Sequence, residues 1–167
     1  MVSANAGITM LADHLTSQAA ACPKQRFVLL GYSQGAWVIG DALAGGGGGV
    51  APRVSATLGQ RIAAIVFYGD PRFTAGEPYN RGTHLEGVSG VIPREPGGLA
   101  TYAKRIRSYC DSDDTVCQSG ATGQGHFRYW QTENENAAAF VMGKLKRQQH
   151  RPLTWWEQFL RDWRSRH

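Results

Sequence analysis

The sequence predicts an α/β fold, a three-layer α/β/α arrangement built on a parallel sheet. Two observations carry that prediction. Short continuous apolar runs, RFVLLG at 26–31 and RIAAIVFYG at 61–69, have the character of strands buried on both faces of a parallel sheet. Segments with helical spacing stand before, between and after them, in the alternation that builds such sheets. At 167 residues with 42% hydrophobic content, one domain can form a core without metals or many disulfides.

The elements follow in order. Between Ala6 and Ala21, the residues Ile8, Leu11, Leu15 and Ala19 fall on one helical face, and Pro23 marks the end of that helix near Ala21. The first apolar run then leads through the turn GYSQG, Gly31 to Gly35, into the helical stretch QGAWVIGDALAG. The run Gly45 to Gly49 stops this helix as a flexible loop. The second strand ends at Gly69 in a DP turn. Residues 72–100, rich in Gly, Pro, Arg and Glu without sustained periodicity, read as a long surface excursion. A third strand is expected within KRIRSYC at 104–110, so about three strands are recognisable. A helix over Thr132 to Arg147 offers Ala138, Val141, Met142 and Leu145 to the sheet, and a second amphipathic helix, LTWWEQFLRDW, follows Pro152. These patterns divide the chain into a domain over 1–150 and a basic, Trp-rich helix over 151–167.

The net charge of +5 is a property of the tail alone. Lys144, Lys146, Arg147, Arg151, Arg161, Arg164 and Arg166 face only Glu157 and Asp162 there, a surplus equal to that of the whole chain. With no basic groove interleaved with aromatics elsewhere, nucleic acid is not expected as a partner. The apolar face of the last helix, Trp155, Trp156, Phe159, Leu160 and Trp163, reads first as a stripe docked on its own domain. Its basic polar face is also what a weak contact with a membrane surface would use. No apolar run approaches the roughly 18 residues of a membrane span, and Met1 to Met10 lacks the layout of a signal peptide. Of three cysteines, Cys110 and Cys117 stand close together and Cys22 stands far upstream, the pattern of one short disulfide and one free thiol.

The chemistry starts at Ser33. A G-x-S-x-G pattern between a strand and a helix is the context of a nucleophile elbow, where a serine is exposed on a strained turn. Gly31 and Gly35 lack Cβ atoms, which is expected to let strand and helix approach closely. Gln34, at the helix start, would aim its backbone N–H at a developing oxyanion. Such a serine needs a histidine to take its proton and a carboxylate to orient that histidine. His14 lies upstream, His84 in the long excursion, and His150 and His167 in the tail; His126, in GQGHFRYW, occupies the place that the order Ser, acid, His requires. Asp70, Asp111, Asp113 and Asp114 all compete for the acid. CDSDDTVC at 110–117, if bridged, would fix the direction of its carboxylates, and it lacks the Gly and terminal Glu of a calcium loop, so no metal is expected.

In order and spacing, "CP…RFVLLGYSQGA", "FYGDPRF" and "SYCDSDDTVCQSG…GH" resemble the cutinase family of secreted serine esterases, small α/β-hydrolases without a lid, over about Ala6 to Gly143. The resemblance implies a Ser33–Asp114–His126 triad, a Cys110–Cys117 bridge, Gln34 as one oxyanion donor, no cofactor, and an extracellular location. The implied substrates are carboxylic esters of short to medium acyl chains, or polyester and lipid surfaces. It further implies a sheet of order 2-1-3-4-5 with the serine ending the third strand. Two strands and a cysteine partner for Cys22 would then precede this sequence, so the hydrolase-type sheet is expected to be N-terminally truncated, and its activity impaired or absent for want of a second oxyanion donor. RGTHLEG at 81–87 imitates the motif that accompanies that donor, but it lies in the long excursion and is assigned no such role.

Overall fold

The structure, a computed structural model, describes residues 2–47, 49–118, 122–149 and 155–165. Helix α1 (Val2–Ala21) is followed by strand β1 (Phe27–Tyr32), helix α2 (Gln34–Ala44), the single-turn helix α3 (Ala56–Gly59) and strand β2 (Ile62–Tyr68). A two-residue strand β3 (Asn80–Arg81) precedes β4 (Ile106–Tyr109). A short helical turn α4 (Tyr129–Thr132) leads into α5 (Asn134–Gln149), and α6 (Trp155–Arg164) comes last. The start of the expected last helix at 153–154, Gly48 of the glycine run and the 150/151 boundary lie outside the described residues.

The four strands form one sheet of order β1-β2-β4-β3, with β1–β2, β2–β4 and β3–β4 all parallel. The three expected strands are therefore joined by a fourth, which the 72–100 excursion contributes. Period-two alternation along β2 divides the core into two layers. Ile65 and Phe67 pack on one side with Ile8 and Leu15 of α1 and Ala36 and Ile39 of α2, while Val66 and Tyr68 face Ala137, Phe140 and Val141 of α5. Each fully buried Ile or Phe contributes about 1.5–3 kcal/mol, so β2, buried along Ile62–Phe67, anchors the domain. Arg61, at its start, donates to the carbonyls of Ala19 and Gln25 at 3.0 Å each, so the open end of α1 is tied to the sheet.

Three expectations are corrected. β1 is not buried on both faces: it forms the sheet edge, and Leu30, paired with Val66, is 59% exposed because α5 covers β2 but not β1. The packed face of α5 is Ala137, Phe140 and Val141: Val141 packs as expected and Leu145 is half-buried, but Ala138 and Met142 are turned to solvent and Ala137 and Phe140 take their place. The aromatic face of α6 is not buried on the described core: Trp155, Trp156 and Phe159 are exposed, and none of the core clusters among the described residues includes a side chain of α6. The 72–100 excursion lies on the surface but is firmly tied down, with Phe73, Tyr79, Arg94 and Leu99 buried.

Candidate active site

The carboxyl ends of β1, β2 and β4 bring the site together. β1 ends at Tyr32, and Ser33 sits at φ 53° and ψ −120°, the one non-glycine residue with positive φ among the described residues. A conformation that costs an L-residue about 1–2 kcal/mol persists because both sides are fixed. Ser33 N–H donates to Tyr68 O at the end of β2 at 2.8 Å, and α2 begins at Gln34. A Cβ on Gly31 would lie 2.6 Å from Ala36 N, so strand and helix do meet too closely there for any other residue. Gly35 is different: a Cβ there meets nothing within 4 Å, and the expected close approach is carried by Gly31 alone.

His126 arrives from a helical turn at Gln124–Phe127 and is buried. Its Nε2 lies 3.0 Å from Ser33 Oγ and its Nδ1 2.8 Å from Asp114 Oδ2. Tyr32 holds it from the serine side, donating its hydroxyl to His126 O at 2.8 Å with the rings 5.0 Å apart. Asp114 is fully buried. Its Oδ1 accepts Val116 N–H at 2.7 Å and Cys117 N–H at 3.2 Å, and its Oδ2 accepts the Tyr129 hydroxyl at 2.6 Å. Each carboxylate oxygen is thereby satisfied, as a buried charge requires. The Cys110–Cys117 disulfide closes this loop, and Cys22 is a free, exposed thiol.

The other carboxylates point elsewhere. Asp70 is buried against Arg94 and accepts Arg72 N–H at 2.9 Å. Asp113 pairs with Arg128 at 2.6 Å. Asp111 lies within the same loop, and burial, with Glu133 and Asp113 nearby, pushes its carboxyl above the ordinary Asp value. Burial, and then the hydrogen bond to Asp114, raise the Tyr129 hydroxyl far above the ordinary phenol, so it stays a donor at any working pH. Tyr32 is likewise raised, by burial and by Asp114. Among the described residues no group of three or more His, Cys, Asp or Glu side chains is arranged to hold a metal ion.

Gln34, the first residue of α2, presents one of the N–H groups that a helix start leaves without an internal partner. Its side chain turns away to Ser3 of α1, with Nε2 donating to Ser3 Oγ at 3.2 Å. Arg81 to Thr83 back onto the acid loop, where Thr83 Oγ1 accepts Ser112 N–H at 3.0 Å. Sequence reasoning missed Tyr129, Tyr32 and Gly69. Gly69, at φ +56°, would place a Cβ 2.7 Å from His126 Nδ1 and 2.9 Å from Asp114 Oδ2; a glycine directly after an apolar strand was the available signal.

The arrangement of Ser33, His126 and Asp114 can, in chemical terms, move a proton from a hydroxyl to an imidazole held in place by a carboxylate. Comparison with known proteins places it in context. The cutinase family model matches residues 1–145. The chain is 36% identical over 145 residues to acetylxylan esterase 2 of Talaromyces purpureogenus, covering 83% of this chain and 61% of that protein. It is 34% identical over 149 residues to cutinase 11 of Verticillium dahliae, covering 86% and 50%. A solved acetylxylan esterase structure superposes with a TM-score of 0.78 at 35% identity, covering 86% of this chain and 71% of that one. The chain spans about half the length of the curated relatives it matches. On the match of the family model over 1–145, the chain belongs to the cutinase family.

Proposed function

We propose that the chain is a serine esterase that hydrolyses carboxylic esters through an acyl-enzyme. One observation carries this reading: an unbroken path of two short hydrogen-bonding contacts, 3.0 Å from Ser33 Oγ to His126 Nε2 and 2.8 Å from His126 Nδ1 to Asp114 Oδ2. Ser33 Oγ attacks the ester carbonyl carbon while its proton passes to His126 Nε2. The tetrahedral oxyanion is met by Gln34 N–H. As the carbon–oxygen bond breaks, the same proton goes to the leaving alcohol. Water then repeats the sequence on the acyl-serine, and the acid product leaves. Asp114 holds the imidazole with Nε2 toward Ser33 and stabilises the imidazolium, and Tyr129 fixes the carboxylate.

The acetylxylan esterases and cutinases among the relatives support short acyl esters as substrates, including acetyl groups on a polysaccharide and polyester or lipid surfaces. The Cys110–Cys117 disulfide supports an oxidising, extracellular location. The test is release of p-nitrophenol from its acetate and butyrate esters by the chain and by Ser33→Ala. Turnover that the substitution abolishes supports the reading; equal rates at the level of buffer refute it. Peptide and thioester substrates distinguish an esterase from other enzymes built on the same three residues.

A second reading, a domain of this fold with impaired turnover, rests on the oxyanion site. One donor, Gln34 N–H, is assigned there among the described residues, and loss of an oxyanion donor costs about a hundred- to a thousandfold in rate. Slow turnover together with normal covalent labelling of Ser33 would favour it.

A further inference from the structure

The aromatic helix at the end of the chain is unexplained by the site or by the family. The family match ends at residue 145, and none of the described core clusters includes a side chain of α6. We propose that α6 (Trp155–Arg164) is an interfacial helix that docks the chain onto the surface of a bilayer rich in anionic phospholipid, with 151–167 acting as a module separate from the site-bearing domain.

At about 100° per residue, Trp155, Trp156, Phe159, Leu160 and Trp163 occupy one arc of roughly 140°. Exposure is 78% for Trp155, 55% for Trp156, 49% for Phe159 and 54% for Trp163. The rings form a continuous plate, with Phe159 stacked at 5.4 Å from Trp156 and 6.2 Å from Trp155. An exposed apolar plate of this size marks a docking surface rather than scattered surface residues. Tryptophan rings suit the headgroup level of a bilayer, where the ring body meets acyl chains and the indole N–H meets water and headgroup oxygens.

Charge selects the occupant. Within 151–167 four Arg stand against one Glu and one Asp, and Lys144, Lys146 and Arg147 at the end of α5 add to that surplus. A neutral polymer surface could accept the rings but would not use the cations. A second copy of the chain would bring the same positive segment against itself. Anionic headgroups satisfy both features, with the aromatic face of α6 lying in the interface plane and the arginines of 151–167 meeting the headgroups. The proposal does not depend on the esterase reading.

Cosedimentation of the full chain with vesicles tests it. Vesicles of phosphatidylcholine alone are compared with vesicles containing a third of phosphatidylglycerol, at about 0.1 M and about 1 M salt, where the Debye length falls from about 10 Å to about 3 Å. Expected is binding to the anionic vesicles about tenfold or more above that to phosphatidylcholine at low salt, largely lost at high salt. The triple variant Trp155→Ser, Trp156→Ser, Phe159→Ser should weaken it about tenfold with an unchanged melting temperature. Arg164→Glu, which keeps every aromatic ring, should weaken binding at low salt only. Absence of vesicle binding, equal binding to both compositions, insensitivity to the triple variant, tighter binding to insoluble xylan or polyester film than to vesicles, or a dimer that the triple variant dissolves would each overturn the proposal.

Discussion

The Tyr129 hydroxyl donates to Asp114 Oδ2 at 2.6 Å, the same oxygen that faces His126 Nδ1 at 2.8 Å. One carboxylate oxygen thus links the imidazole to a buried phenol, and Tyr129 Oη in turn accepts Asp111 N–H at 3.0 Å. In the proposed reaction the tyrosine is a positioning residue, linked to Ser33 only through Asp114 and His126. Tyr129→Phe keeps the ring packed against Val66 and Tyr109 but leaves the Asp111 N–H without its partner. Denaturant titration should show a loss of about 1–3 kcal/mol. Ester turnover should fall about tenfold in kcat with KM little changed, because the orientation of the imidazole is loosened and not its chemistry.

Gly69 and Gly35 should respond oppositely to alanine. At Gly69 the positive φ costs about 1–2 kcal/mol, and the new Cβ would push His126 away from Asp114, so Gly69→Ala should reduce kcat about a hundredfold. At Gly35 a Cβ meets nothing within 4 Å, and Gly35→Ala should leave stability unchanged or raise it by up to about 1 kcal/mol. Paired melting curves and ester assays of the two variants check this; equal losses would contradict it.

Arg94 joins the excursion to α2, the helix that follows Ser33. It is buried, pairs with Asp70, lies 3.3 Å from Asp41 Oδ1 and donates to Ala36 O at 3.3 Å. Burial raises the Asp41 carboxyl, and Arg94 and Arg72 counter that rise. Arg94→Met would leave buried Asp70 without its ion-pair partner, while Asp41 keeps Arg72 at 3.0 Å, and should cost about 3–5 kcal/mol in denaturant unfolding. Arg94→Lys should recover only part of this, since an ammonium cannot reproduce the planar fork.

Asp111 predicts a pH dependence of stability. Its folded carboxyl sits above the ordinary 3.8, through burial first and then Glu133 and Asp113, so the folded state holds its proton more tightly than the unfolded state. The penalty is absent below the ordinary value, appears as pH rises above it, and is complete above the folded value. Asp111→Asn should therefore melt higher than the parent at pH 7 and no higher at pH 3. A gain that persists at pH 3 would contradict this account.

The strand, elbow and helix from Phe27 to Ala44 were legible because their signals are local: an apolar run, a glycine turn and a helical period. Ser33 and His126 stood out by the turn and the chain order, whereas Asp114 was singled out from four aspartates only by the family resemblance; in the structure His126 lies within hydrogen-bonding distance of both Ser33 and Asp114. What escaped the sequence depends on contacts distant along the chain. Arg94 lies in a stretch without period, and its partners are 24 and 53 residues away. Tyr129 looks like any aromatic at a helix start until the acid loop is folded against it. Which residues of α5 meet β2 is set by how the helix lies across that strand, and apolar content alone does not encode that choice.

The most direct test of the central claim is covalent labelling of Ser33. The folded chain, treated with a fluorophosphonate ester and analysed by intact mass and peptide mapping, should gain a single adduct, located on the peptide containing Ser33. His126→Ala, verified as folded by circular dichroism, should gain none over the same period, because labelling depends on the imidazole at 3.0 Å from Ser33 Oγ. An unlabelled folded chain, or an adduct that forms equally well in His126→Ala, would contradict the assignment of Ser33 as an activated nucleophile.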